Sequence, residues 1–212
     1  MADLAALLAD LVSGDDERAE AAALALPGIG PDALTALQPL IHSRQVDARW
    51  WALRALAGWP PAESVTHELV AALDDESSQV RQCAAIALAS HPGPRVLERL
   101  IQALSDRDPL TASLAGNTLI QIGPTAVPAL IGLLQSEPRR AKASGRRRGG
   151  GTQPGRDEAA RLEAVRALAH IADPRAIPVL MKVLGEDSSV MQYWAEQGLG
   201  RLGLGMVYIK PE

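Results

Sequence analysis

The residues in this chain that could ligate a metal or serve as a nucleophile are four histidines, His42, His67, His91 and His170, and one cysteine, Cys83. A metal centre needs several donors of suitable softness brought together. Only His67 is followed by an acid, Glu68, and no Cys or His run supplies further ligands. Cys83 stands beside Ala84 and Ala85 in an apolar stretch, where a small packing residue is its ordinary role. No Ser-His-Asp or Cys-His arrangement accompanies it. Gly198-Leu199-Gly200-Arg201-Leu202-Gly203 satisfies GxGxxG by letter. A dinucleotide fingerprint must follow a strand and open a helix. Here the motif closes a helical pattern, so its glycines are expected at a left-handed helix end. The sequence therefore predicts no catalytic residue, no cofactor and no metal.

The elements that would position any site are set by an internal repeat, which decides the fold before any local motif does. Leu69 to Leu88 aligns without a gap on Leu100 to Leu119, with Leu69, Leu73, Ala84 and Leu88 falling on Leu100, Leu104, Ala115 and Leu119. A step of 32 places Leu37, Ile41, Ala48, Arg49, Ala52 and Leu56 on Leu69, Leu73, Val80, Arg81, Ala84 and Leu88. Leu7, Leu11, Arg18, Ala21 and Ala22 continue the pattern toward the N-terminus. Leu130 and Leu134 begin a fifth unit, and Ile177 through Leu180, Leu184, Met191 and Ala195 to Leu199 form a sixth.

Within each unit the apolar residues recur every three or four positions, which stacks them on one helix face. Each unit thus reads as two antiparallel helices. Pro27-Gly28, Gly58 to Pro61, Pro92 to Pro94, Gly123-Pro124 and Asp173-Pro174 fall between units, where proline can open a helix. Acid and serine clusters, Asp74 to Ser78 and Glu186 to Ser189, lie between the two helices and are expected to cap the second. Composition agrees: 47% of residues are hydrophobic, only 3% are aromatic and Phe is absent, so the core is packed from Ala and Leu, the strongest helix formers.

The pattern L-x-x-x-L-x-D followed by V-R-x-x-A-x-x-A-L, with linkers such as Gly123 to Leu134 and Asp173 to Leu184, resembles HEAT repeats. It is most similar to the short HEAT-like repeats named for the bilin lyases of phycobilisomes. The resemblance implies an all-α, right-handed α-solenoid of about six helix pairs over residues 1–212, a single repeat domain. It implies little about activity, because one fold hosts many functions. It also implies that Arg18, Arg49, Arg81 and Arg161, at one repeat position, pair with an acid at the preceding turn, with Asp74, Asp106 and Asp15-Asp16 as partners. Ala112 and Gln192 fill that position in two units. His67-Glu68 is similar to the His-Glu pairs by which HEAT-repeat deoxyhypusine hydroxylases bind two irons. Those enzymes use several pairs, and this chain has one.

The aromatic residues carry the surface signal. Trp50 and Tyr193 share the repeat position of Gln82, and Trp51 and Trp194 share that of Cys83, all on second helices. In HEAT solenoids these helices line the concave face. With Arg54, Asn117 and Arg166 they would form a groove of the kind in which Trp, Tyr and Arg anchor a partner. The bland alternative is that Trp50 or Trp51 fills space left by the surrounding alanines.

Charge is uneven. The net charge is −4, yet residues 135–156 hold seven basic residues, Arg139, Arg140, Lys142, Arg146, Arg147, Arg148 and Arg156, against the single acid Glu137. This insertion has no core-forming residue and is expected to interrupt the fifth unit as a flexible basic loop. It would bind nucleic acid or an acidic protein, or lie against its own acidic body. The lack of aromatic residues within it argues against base stacking. Residues 204–212 break the helical period and are expected to form a tail over the end of the stack. The N-terminal residues lack a basic leader region, no uninterrupted apolar run reaches membrane length, and the lone cysteine suits a reducing compartment, so a cytoplasmic location is expected. The leading functional expectation is a noncatalytic scaffold for a protein partner. The alternatives are a bilin lyase or isomerase and nucleic-acid binding through the insertion.

Overall fold

The computed structural model describes residues 3–136, 155–186 and 188–205. Among them are twelve α-helices and no strand. In chain order they are α1 (Leu4–Leu11), α2 (Asp16–Ala25), α3 (Pro31–Ile41), α4 (Val46–Leu56), α5 (Glu63–Ala71), α6 (Ser78–Ala87), α7 (Pro94–Ala103), α8 (Pro109–Ile122), α9 (Val127–Gln135), α10 (Arg156–Ile171), α11 (Ile177–Val183) and α12 (Ser189–Arg201). They form six consecutive pairs, as the repeat requires. The starts of α5 and α6 lie 31 residues before those of α7 and α8, the shift read from the leucines.

The chain divides into two compact units, Met1–Arg99 and Leu100–Glu212. In the first, α2 packs on α4 and α4 on α6, so the second helices of successive pairs form one layer. In the second unit α10 packs on α8, α9 and α12 in the same manner. The aligned leucines make the core: Leu37, Leu69, Leu100, Leu104, Leu130 and Leu180 are all fully buried. The intervening alanines, among them Ala52, Ala84, Ala115, Ala164 and Ala195, are also without exposure, which lets neighbouring helices approach closely.

Backbone chemistry places the breaks. Gly123 adopts φ 75°, a conformation that costs glycine nothing, and ends α8. The stretch Pro109–Gln135 is long and apolar enough by composition to cross a membrane. That glycine divides it into α8 and α9, both of which pack on α10, so it is not a continuous rod. Asp15 and Asp108 cap α2 and α8 by accepting backbone N–H groups. Ser77 and Ser188 occupy the corresponding positions of α6 and α12 but make no side-chain cap bond, contrary to the sequence expectation. Asp75 instead accepts the N–H of Ser77, shaping the turn ahead of the helix.

The arginine column also departs from the expected register. The slot lies four residues after the N-cap, where the backbone N–H donates to the N-cap carbonyl: Arg49 to Gln45, Arg81 to Ser77, Ala112 to Asp108 and Gln192 to Ser188. In α2 this residue is Ala19, bonded to Asp15. Arg18 therefore sits one position early, is exposed, and pairs with Asp10 of its own helix pair.

The working slots reach in two directions. Arg49 donates to the Ser43 carbonyl at 2.9 Å in its own pair, and forks onto Asp75 of the next pair with two bonds of 2.8 Å. Arg161 likewise donates to the Leu134 carbonyl and to both Glu186 oxygens. The carboxylate thus comes from the following turn, while the preceding turn supplies a carbonyl. Asp74 is not part of this column, since it pairs with Arg99. Gln192 keeps the carbonyl contacts, to Leu184 and Glu186, without a charge.

Candidate functional site

Each second helix offers two outward positions, five and nine residues after the N-cap. In α2, α4 and α6 these are Glu20 and Leu24, Trp50 and Arg54, and Gln82 and Ile86. In α8 and α12 they are Ser113 and Asn117, and Tyr193 and Gln197. Helix α10 starts two residues earlier relative to its pattern, so its equivalents are Leu162 and Arg166. All these residues are half-buried or exposed, as expected for a face that packs on no other helix of its layer.

On the first unit, Trp50 and Trp51 are both half-buried and meet edge to face, with ring centroids 4.7 Å apart and planes at 87°. Arg54 reaches back from α4 to ion-pair with Glu20 of α2. The Cys83 thiol, buried in α6, donates to the Trp50 carbonyl at 3.8 Å. Burial pushes that thiol up to about 12, with Arg54 opposing and Glu20 adding to the rise. It is therefore no nucleophile at neutral pH. Gln82 is half-buried beside it in the sequence of α6. The sequence reading missed Leu24 and Ile86, which are 62% and 55% exposed. The available signal was their repeat position, which they share with Arg54.

On the second unit Tyr193 is 53% exposed. Its ring meets Trp194 at 5.3 Å, and Trp194 meets His170 of α10 at 5.3 Å. Arg166 is held by Glu163 through two bonds, 2.6 and 2.8 Å, and donates to Asn117 Oδ1 at 2.9 Å and the Ser113 carbonyl at 3.3 Å. Gly116 makes room for this cluster: a Cβ there would lie 2.8 Å from Glu163 and 2.9 Å from Arg166. Arg201, at the end of α12, donates to the Ala169 carbonyl at 3.3 Å and meets His170 Nδ1 at 3.1 Å. Burial holds His170 below its ordinary pKa, and the positive charges of Arg201 and Arg166 lower it further. His170 and Arg201 are the second omission. In the sequence His170 stands alone and Arg201 lies within the GxGxxG letters; only the packing of α10 on α12 brings both to Trp194.

The eight predicted groove residues thus gather as two sets, Trp50, Trp51, Arg54 and Gln82 on one unit and Asn117, Arg166, Tyr193 and Trp194 on the other. The six basic-loop residues, Arg139, Arg140, Lys142, Arg146, Arg147 and Arg148, lie outside the described residues, as does the tail from 206 onward. Glu68 of the His67-Glu68 dyad faces His42 at 3.8 Å, whereas His67 lines a cavity of about 180 Å³ with Val70, Pro94, Arg95 and Val96. Among the described residues no group of three or more His, Cys, Asp or Glu is placed to hold a metal ion. The GxGxxG letters close α12. Gly203, φ 80°, ends the helix, with the Leu204 N–H bonded to the Leu199 carbonyl and the Gly203 N–H to the Gly200 carbonyl. Gly198 serves packing, because a Cβ there would sit 2.9 Å from the Ala169 Cα.

Paired antiparallel helices with a repeated leucine core and a shared second-helix layer define a helical-repeat protein. A family model for HEAT repeats matches residues 66–145 and 153–205, more than half of the sequence, and the chain belongs to that family. Residues before 66 lie outside the match, although α1 to α4 follow the same helix-pair plan. No curated protein matches the chain, so the bilin-lyase resemblance has no relative behind it. Among solved structures, an engineered protein from a structural genomics consortium is 25% identical with a TM-score of 0.49, covering 97% of this chain and 98% of its own. A designed armadillo repeat protein is 18% identical, TM-score 0.45, covering 94% and 100%. Human deoxyhypusine hydroxylase in complex with glycerol is 22% identical, TM-score 0.48, covering 94% and 73%.

Proposed function

We propose that the second-helix faces are docking surfaces for a protein partner, anchored by Trp50 and Trp51 on the first unit and by Tyr193 and Trp194 on the second. One observation carries this reading. In a chain without Phe, two ring pairs occupy the same repeat position on outward faces, and their rings are left partly in water. Burying such rings against a partner is favourable at about 25 cal/mol per Å² of apolar surface removed from water. Aromatic anchors of this type dominate binding energy where they occur. The Cys83 thiol next to Trp50 is buried, and Arg54 and Arg166 are each paired with an acid, so the rings are the groups these faces offer most openly.

The reading is tested by selecting binders to the full chain from a displayed library of random linear peptides. Selected peptides are expected to bind the Trp50→Ala or Tyr193→Ala variant at least about tenfold more weakly, equal to about 1.4 kcal/mol. Binding left intact by both substitutions would remove these faces from the function.

A further inference from the structure

On the second helices Arg54 meets Glu20, Arg161 meets Glu186 and Arg166 meets Glu163, each a carboxylate. Arg201 differs. Among the described residues it bonds only neutral groups, the Ala169 carbonyl and His170 Nδ1, both through Nη1. A guanidinium carries five N–H donors and cannot accept. His170 Nδ1 must therefore be the acceptor, which puts the proton of the neutral ring on Nε2. The ring is kept neutral by burial first and by the charges of Arg201 and Arg166 second.

Building on the docking role proposed for α12, we infer that Arg201, positioned by His170 next to Trp194, is a carboxylate-binding side chain fitted to an acidic segment of a protein partner. Charge complementarity selects this occupant. The Nε and Nη2 edge of Arg201 makes no bond to the described residues, and that planar edge matches the two oxygens of a carboxylate. His170 Nδ1 and the Ala169 carbonyl hold the guanidinium from its Nη1 side, opposite that edge. Arg166 is offset by Glu163, whereas Arg201 has no carboxylate partner among the described residues, on a chain whose net charge is −4. The surrounding acidity gives no general attraction for anions, and binding is local to Arg201. Tyr193, half exposed, supplies the apolar surface on which the residue next to the carboxylate rests.

The probe is a short fluorescein-labelled peptide alternating Glu and Leu, compared by anisotropy with its Gln-for-Glu counterpart on the full chain. The Glu peptide is expected to bind at least about tenfold more tightly, as for a charged hydrogen-bonded pair. Arg201→Gln is expected to erase that preference without moving the thermal midpoint, and Arg201→Lys, which keeps the charge but not the fork, to restore part of it. Equal binding of the two peptides, a preference that survives Arg201→Gln, or no binding by either overturns the carboxylate site. Tyr193→Ala separates this from the docking reading. It weakens both peptides alike if the ring is an anchor. If the Glu preference stands while Tyr193→Ala changes nothing, the anion site is right and the aromatic anchor is wrong.

Discussion

The face built on α2, α4 and α6 and the face built on α10 and α12 carry aromatic rings at the same repeat positions but differ in the cations around them. On the first, the cation is cancelled: Arg54 is answered by Glu20, and the thiol behind Trp50 is buried and protonated. Apolar groups remain outward there, Trp50, Trp51, Leu24 and Ile86. On the second, Arg166 is cancelled by Glu163, but Arg201 rests on a neutral histidine and keeps its charge. A repeat fixes where a side chain stands; the residue facing it, on its own helix or the neighbouring one, decides whether its charge is available. That is why matching positions along a HEAT stack do not imply matching ligands.

The contrast can be attacked at several points, and the largest effect is kinetic. A thiol raised from 9.0 to about 12 carries on the order of a thousandfold less thiolate near pH 8. Cys83 should react with Ellman's reagent about a thousandfold more slowly in the native chain than in urea. Comparable rates would mean that the first face is open down to α6.

Next comes the arginine slot. Arg49 and its partner Asp75 are both largely buried, with side chains 9% and 14% exposed, whereas Arg161 and Glu186 are 18% and 30% exposed. Arg49→Ala should cost about 3 kcal/mol, because it strands a buried carboxylate. Arg161→Ala should cost about 1 kcal/mol, since water screens that pair. Urea denaturation measures both, and equal losses would remove the distinction between the slots.

Gly198 and Gly200 offer a sharper pair. Gly198→Ala pushes a methyl into the backbone of Ala169 and should destabilise by about 2 kcal/mol. Gly200→Ala meets nothing within 4 Å and should stabilise α12 by roughly 0.5 kcal/mol. A nucleotide-loop role for these glycines would instead leave stability indifferent to both changes.

The smallest expected effect is pH dependence. His91 in the first unit is 1% exposed, neither ring nitrogen has a hydrogen-bond partner among the described residues, and burial holds its pKa below 6.5. Its folded form takes up a proton less readily than the unfolded chain, so stability is complete above pH 6.5 and falls as the pH drops below it. Asp173, held near 2 by its hydrogen bonds from Arg175, contributes in a separate window, above about pH 3.8, and loses its effect as pH falls toward 2. Urea midpoints between pH 7.5 and 5.5 should decline for the native sequence and decline less for His91→Leu.

The fold was legible because its information is local and repeated. Leu69 and Leu73 recur as Leu100 and Leu104, and such spacing leaves only a helix pair that hides one face. The register slipped at Arg18, where an alanine-rich helix, DERAEAAALA, offers no large residue to set the phase. Burial of Ala19, Ala22, Ala23 and Leu26 gives the true phase. The aromatic positions were readable from the repeat. The partners of the arginines were not, because Glu20 and Arg54 lie 34 residues apart and Arg201 and His170 lie 31 apart. Pairing across helices depends on rotamer and helix stagger, which periodicity does not encode. Gly198 escaped for the same reason, since its constraint is the Ala169 backbone and not a turn.

Hydrogen–deuterium exchange of the full chain with a selected peptide bound is the most direct test of the central claim. Protection should concentrate on the outward turns of α4 and α6, or of α10 and α12, with α3, α5 and α11 unchanged. Protection confined to those first helices would contradict a second-helix docking face.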